Sequence, residues 1–168
     1  PVVALRFFNI YGTRQALSNP YTGVAAIFAS RLMNERAPLV FEDGNQMRDF
    51  VSVHDIVRAN ILAMEKSGAD GMALNVGSGM PISVREVAAN LASALGADID
   101  PELTGKYRAG DIRHCFADIS AIKKYLGYEP SVKFADGIRE LVNWLREQRA
   151  EDRAAEAVQK LTVYGLTA

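Results

Sequence analysis

The chain has 168 residues, of which 49% are hydrophobic and 23% charged, and its formal net charge is −1. This length suffices for one domain with its own core, and the balanced charge gives no electrostatic support for a nucleic-acid or membrane-surface role. A single cysteine, Cys115, excludes an internal disulfide and a cysteine-rich metal site, and fits a reducing compartment such as the cytoplasm.

The chain begins with an almost continuous apolar run, VVALRFF at 2–8, which is typical of a strand buried on both faces in a parallel sheet. A central strand needs neighbours on both sides, so we expect the chain to be part of a longer protein that begins in mid-fold. The alternative is a complete small protein with trimmed numbering. An isolated piece would expose an apolar face and a strand edge, and we expect it to self-associate.

Strands and helices alternate along the rest of the chain, which predicts an α/β fold. Ser83 and Glu86 have the spacing of a capping box, and Gly96 suits the end of the helix that follows it. No linker divides the chain, and we expect residues 1–150 to form one α/β unit and 151–168 a helical tail. The expected elements are a loop at 9–22, a helix at 23–35, strands at 39–41 and 49–53, a helix at 54–66, a strand at 72–76, a helix at 84–95, an irregular extended stretch at 99–117, and helices at 119–126, 134–149 and 151–164.

Two candidate ligand-binding groups stand where predicted strands begin or end. Asn9 follows the first strand, so its amide would reach the carboxyl edge of a parallel sheet, where open α/β folds bind ligands; it could equally cap its own turn. Arg48 directly precedes the predicted apolar strand at 49–53. Its planar guanidinium matches a phosphate bidentately, but a surface ion pair with Asp49 or Glu42 is the commoner arrangement.

The irregular stretch contains a second charged cluster, YRAGDIRHC at 107–115, which is either an anion clamp or a solvated loop. The GSG at 77–79 lacks the spacing of a phosphate loop, and we interpret it as a turn. His54 and His114 have no metal-binding context. Cys115 could be an activated thiol, but a packed or pocket-lining cysteine is the commoner case.

Taken in order, five segments resemble the carboxyl-terminal half of the extended short-chain dehydrogenases/reductases. These are the NAD-dependent nucleotide-sugar epimerases and dehydratases, and the nearest resemblance is to 4-epimerases of the UDP-glucose or dTDP-L-rhamnose type. The similarity covers residues 2–149. The ordered set is highly specific, although each motif alone is weak. The segments are RFFNIYGTRQ, GVAAIFASRLMNE, FEDGNQMRDFVSVHDIVRA, LNVGSG and YRAGDIRHCFADISAIKKYLGYEP.

The resemblance implies a role for ten residues of this chain. Those matching substrate-binding positions are Asn9 and Arg48 at the diphosphate, Arg108 at phosphate with Asp111 by the ribose, Leu39 and Phe41 at the pyrimidine base, Val24 at the nucleotide pocket and Cys115 at the sugar. Phe7 and Phe8 match the strand end near the nicotinamide of the cofactor.

The family's other signatures are not found between residues 1 and 168. The sequence has no G-x-x-G-x-x-G, and no tyrosine is followed four residues later by lysine. The resemblance therefore implies the substrate-binding half of an enzyme that binds NAD mainly elsewhere, with no catalytic residue in this chain. Such an enzyme oxidises C4 of a UDP- or dTDP-hexose, lets the keto sugar rotate and returns the hydride; members are commonly homodimers. A dehydratase or a non-catalytic nucleotide-sugar-binding domain remains open.

Overall fold

The computed structural model describes residues 1–17, 23–149, 152 and 154–167, and it has a mixed α/β fold. Part of the predicted first loop, at 18–22, lies outside the described residues. The strands are β1 (Ala4–Phe7), β2 (Asn9–Tyr11), β3 (Leu39–Val40), β4 (Met47–Ser52), β5 (Ala73–Val76), β6 (Pro81–Ser83), β7 (Glu102–Leu103) and β8 (His114–Cys115). The helices are α1 (Val24–Met33), α2 (Val53–Glu65), α3 (Val84–Leu95), α4 (Ser120–Leu126), α5 (Phe134–Leu145) and α6 (Ala154–Val163).

The first predicted strand is two strands with different partners. β1 pairs in parallel with β5, whereas β2 begins at Asn9 and pairs in parallel with β4. The prediction that Asn9 opens a loop is therefore wrong. The exposure of β1 agrees with the apolar face expected of an isolated piece. Within the described residues β1 has one neighbouring strand, and Phe7 is 44% exposed.

Strand β4 organises the remaining sheet. It pairs with β2 and β8 in parallel and with β6 in antiparallel fashion. Side chains alternate across a strand, and so Phe50 packs into one core with α1, α3 and α5, while Val51 packs into a second core with α2, α4 and β5. Strand β4, which carries Arg48 and Asp49 near its start, therefore lies between the two cores.

Helix ends follow their local sequence. Ser83 accepts a hydrogen bond from the Glu86 amide at 3.1 Å and Glu86 accepts one from the Ser83 amide at 2.9 Å, which confirms the capping box. Gly96 closes α3 with φ +70°. α2 begins one residue earlier than predicted because the Ser52 hydroxyl caps it.

Candidate functional site

A cavity of about 310 Å³ lies where β2, α1, β3 and β4 meet the loop at 108–111 and helix α6. Its volume is at the lower end of the range for small-molecule sites. Seven of the eight residues predicted to contact substrate line it: Asn9, Val24, Leu39, Phe41, Arg48, Arg108 and Asp111. The fold thus brings residues from five separate segments to one cavity; their part in binding stays a prediction.

Arg48 is held by the loop that follows Arg108. Its Nη1 donates to the carbonyl oxygens of Met47 and Arg113, at 2.9 and 3.0 Å. Its Nη2 donates to the Ile112 carbonyl at 2.7 Å and to the Asp111 carboxylate at 3.1 Å. The side chain is only 14% exposed. Arg48 therefore fixes the position of residues 111–113 beside the cavity.

The two surface partners considered for Arg48 are both engaged elsewhere. Asp49 is fully buried and points away into the protein. Glu42 pairs with Arg113, whose Nη2 also donates to Asp43 at 2.8 Å. The alternative considered for Arg48, a surface ion pair with Asp49 or Glu42, is therefore not the arrangement found. Alternation along β4 sends residues 48 and 49 to opposite faces.

Arg108 is the more accessible cation of the cavity. It is 49% exposed, its Nη2 donates to Asp111 at 2.6 Å, and its guanidinium lies 5.6 Å from the centroid of the Phe41 ring. Partial burial raises the pKa of Asp111, but the hydrogen bond and charge of Arg108, with the charge of Arg48, outweigh it and lower the pKa below 3.8. Two arginines and one ionised aspartate leave this part of the cavity with a net positive charge, which suits an anion.

Asp49 connects β4 to the GSG loop. Its Oδ1 accepts hydrogen bonds from the amide and the hydroxyl of Ser78, at 2.8 and 2.6 Å, and its Oδ2 accepts from the amides of Gly79 and Ala117, at 2.9 and 3.2 Å. The loop amides that could have held a phosphate are therefore occupied by a protein carboxylate. A side chain at Gly77 would collide with this carboxylate. The GSG segment is structural, as its spacing indicated.

Three predicted residues lie outside this cavity. Cys115 is half-buried on β8 and faces Arg48 in the strand register. Phe8 packs against the second core. Phe7 lines a separate groove between β1 and α2. Their predicted contacts with the sugar and the nicotinamide stay predictions.

Sequence reasoning missed a further part of the lining. Gln46 is 5% exposed, and its Nε2 donates to the Phe41 carbonyl at 2.7 Å. Helix α6 also borders the cavity, although the resemblance ended at residue 149. The sequence predicted a helix at 151–164, but its pattern does not identify the surface that the helix packs against. No set of three or more His, Cys, Asp and Glu residues suited to a metal occurs in the described ranges.

The chain is similar to known epimerases in sequence and in structure. The model of the NAD dependent epimerase/dehydratase family matches residues 1–77. A dTDP-L-rhamnose 4-epimerase from Burkholderia thailandensis is 36% identical over 149 residues, which are 88% of this chain and 40% of that protein. A UDP-glucose 4-epimerase from Mycolicibacterium smegmatis is 37% identical over 142 residues, 83% of this chain and 44% of that protein.

A solved structure extends this similarity to the fold. A UDP-N-acetylglucosamine 4-epimerase from Methanobrevibacter ruminantium, in complex with UDP-N-acetylmuramic acid, superposes with a TM-score of 0.80 at 36% identity, over 87% of this chain and 46% of that one. The chain thus spans less than half the length of the relatives it matches. In the part of the chain that the structure describes, no helix is long and apolar enough to cross a bilayer. By sequence and by fold, the chain belongs to the NAD dependent epimerase/dehydratase family.

Proposed function

We propose that this chain is the nucleotide-sugar-binding part of an NAD-dependent 4-epimerase acting on a UDP- or dTDP-hexose. The observation that carries the proposal is the cavity itself, which joins two arginines to apolar walls. The positive charge suits a diphosphate, and the apolar side chains suit a base. Two relatives of this chain are named 4-epimerases of such nucleotide sugars.

Within this site the two arginines have different roles. Arg108 contacts the diphosphate directly, because its guanidinium is half exposed in the cavity. Arg48 positions the loop that carries Asp111, because three of its four Nη hydrogen bonds go to that loop. Asn9 supplies an amide to the phosphates. The chain would contribute to catalysis by holding the diphosphate in place. The sugar would remain free to rotate about this anchor.

The described residues do not by themselves fit an NAD site. Phe7 lies in a groove lined mainly by β1 and α2, and Phe8 packs into a core, so they share no concave surface. The sequence also has no glycine-rich dinucleotide turn. We therefore assign the cofactor mainly to the remainder of a longer protein and derive no hydride-transfer step from these residues. The isolated chain is expected to be inactive.

Calorimetric titration with UDP and dTDP tests the proposal on the 168-residue chain. Arg108→Ala is expected to weaken UDP binding by about 10- to 100-fold, because a charge-assisted hydrogen bond contributes about 1.5–3 kcal/mol. Arg113→Ala is the matched control. Arg113 is a half-exposed arginine of the same loop that does not line the cavity, and its variant should bind UDP within about twofold of the original.

The possible outcomes test the anion site and the epimerase activity separately. Equal loss of affinity in the two variants would show only a general effect of positive charge. Binding that Arg108→Ala alone loses supports the anion site, and turnover of UDP-glucose by the longer gene product tests the epimerase assignment. Formation of a 4-keto-6-deoxy product there would favour a 4,6-dehydratase. Tight binding without turnover would favour a non-catalytic domain.

Self-association of the isolated chain is a separate part of the proposal. The groove beside β1 and the exposed Phe7 side chain present apolar surface next to an unpaired strand edge among the described residues. Light scattering should give a mass above 18.3 kDa that falls on dilution. A monodisperse monomer at high concentration would contradict this expectation.

A further inference from the structure

The last segment of the chain crosses the candidate site. We call Asp152 together with residues 154–167 the C-terminal strap. It contains α6, whose residues Ala154, Ala157, Val158 and Leu161 line the same cavity as Arg48 and Arg108. The family resemblance ends before the strap, so nothing in that resemblance gives it a role.

Two attachments fix the strap at its ends. At one end the Asp152 carboxylate, 3% exposed, accepts hydrogen bonds from Arg31 at 3.3 Å and Arg36 at 2.9 Å, and also from the Ala154 amide at 3.0 Å. This carboxylate both caps α6 and ties it to α1. At the other end Thr167 forms an isolated β-bridge with Arg108.

The second attachment reaches the loop of the candidate anion site. The Ala109 amide donates to the Leu166 carbonyl at 2.9 Å, next to Arg108 in the chain. Arg48 holds the same loop from the opposite end, through residues 111–113. The position of the Arg108 guanidinium therefore depends on the strap as well as on Arg48.

The strap presents an incompletely buried apolar face to the cavity. The four lining residues stand at positions i, i+3, i+4 and i+7, which places them on one side of α6. Only Ala154 is buried, and Ala157, Val158 and Leu161 are half-buried. The opposite side carries the Glu156–Lys160 ion pair. A ring bound in the cavity would complete the burial of this face.

We propose that the C-terminal strap is the outer wall of the nucleotide site, and that strap docking and nucleoside diphosphate binding stabilise each other. The inference rests on the proposed function, because it names a further wall of the same site. The base or ribose contacts Leu161 and Val158, and the docked strap end sets the position of Arg108. Coupling between two such events is reciprocal, so the ligand must order the strap to the extent that the strap favours the ligand.

The test compares two substitutions in the last turns of α6. Leu161→Asp puts a charge into the cavity wall, whereas Val163→Asp puts the same charge on a side chain that is 74% exposed and does not line the cavity. Both variants carry the same penalty for a carboxylate near a helix C-terminus. Titration of the full chain with UDP should show binding weakened about tenfold or more by Leu161→Asp and changed less than threefold by Val163→Asp.

Hydrogen exchange provides the second measurement. UDP should slow exchange of the amides at 158–163 and at Ala109 in the original chain, and Leu161→Asp should speed exchange of Ala109 without ligand. UDP binding with neither strap protection nor an effect of Leu161→Asp would overturn the inference and leave the proposed function intact. Failure of the original chain to bind UDP or dTDP would contradict the proposed function and, with it, the coupling.

Discussion

The buried Asp49 carboxylate should be one of the most sensitive positions of this fold. Its two oxygens accept three amide hydrogen bonds and one hydroxyl hydrogen bond, from the GSG loop and from Ala117. Asp49→Ala removes the acceptor oxygens of all four hydrogen bonds at once. The Ala117 amide is left in a dry environment, 6% exposed, whereas water can reach Gly79, so the four losses are unequal.

The expected cost of Asp49→Ala is about 3–5 kcal/mol. One buried unsatisfied amide costs about 1–3 kcal/mol, and the three bonds to the more accessible Ser78 and Gly79 together add about 2 kcal/mol after allowance for water. Domains of this size are stable by only about 5–15 kcal/mol, so the variant should be close to unfolding. The stability of Asp49→Asn should lie between those of the original chain and Asp49→Ala. Its side-chain oxygen can still accept hydrogen bonds, but its NH₂ group would face the N–H donors that now bind the carboxylate.

Urea unfolding followed by far-ultraviolet circular dichroism measures this cost directly. Asp98→Ala is the control, since Asp98 is an exposed carboxylate and its loss should change stability by less than about 0.5 kcal/mol. An Asp49→Ala variant within 1 kcal/mol of the original chain, at an unchanged slope with urea, would refute the argument that these bonds hold β4 in place.

Four further predictions concern other contacts. Gly137→Ala should lower the free energy of unfolding in urea by about 1–3 kcal/mol, because its methyl group would collide with the buried Tyr11 ring. In the same assay Tyr11→Phe should leave this free energy unchanged or raise it, because the Tyr11 hydroxyl has no partner among the described residues. Hydrogen bonds from the Ser83 hydroxyl and amide lower the pKa of Glu86. This stabilisation is present above about pH 4.5 and is lost as the pH falls through the folded-state pKa, so Glu86→Gln should cost more stability at pH 6 than at pH 3. Asp111→Asn should bind inorganic pyrophosphate several-fold more tightly at low salt, because two arginines lose their internal anion; weaker binding in calorimetry would show that Asp111 mainly orients them.

The sequence predicted most helices and the residues of the cavity better than it predicted strand partners. Both ends of α3 could be predicted from residue spacing alone, because local hydrogen bonds form them. These involve Ser83 and Glu86 at its start and Gly96 at its end. The break at Phe8 was missed because β1 and β2 differ only in their distant partners, β5 and β4. Apolar residues also do not always mark the buried side of a helix, since Val57, Ile61 and Met64 of α2 are 53%, 47% and 86% exposed.

The sequence predicted which residues form the candidate site, but not how they are arranged or hydrogen-bonded. The order of motifs grouped Asn9, Arg48 and Arg108, and the fold places them around one cavity. Their hydrogen-bond partners were not accessible to sequence reasoning, because Arg48 meets Asp111 across 63 residues and no local pattern encodes such a distance. The strap was missed for the same reason.

The hydrogen bonds of Arg48 and Asp49 also bear on the order in which the protein folds. Three of the Arg48 bonds and the bond from Ala117 to Asp49 join β4 to residues 63 to 68 positions later in the chain. Loops of that length close slowly, because chain entropy opposes them until the contacts form. The helices can nucleate early, while the anion site assembles only after residues 108–117 have returned to β4. Under the proposed function, a nascent chain would gain affinity for a nucleotide sugar only in a late step, after residues 108–117 pack against β4.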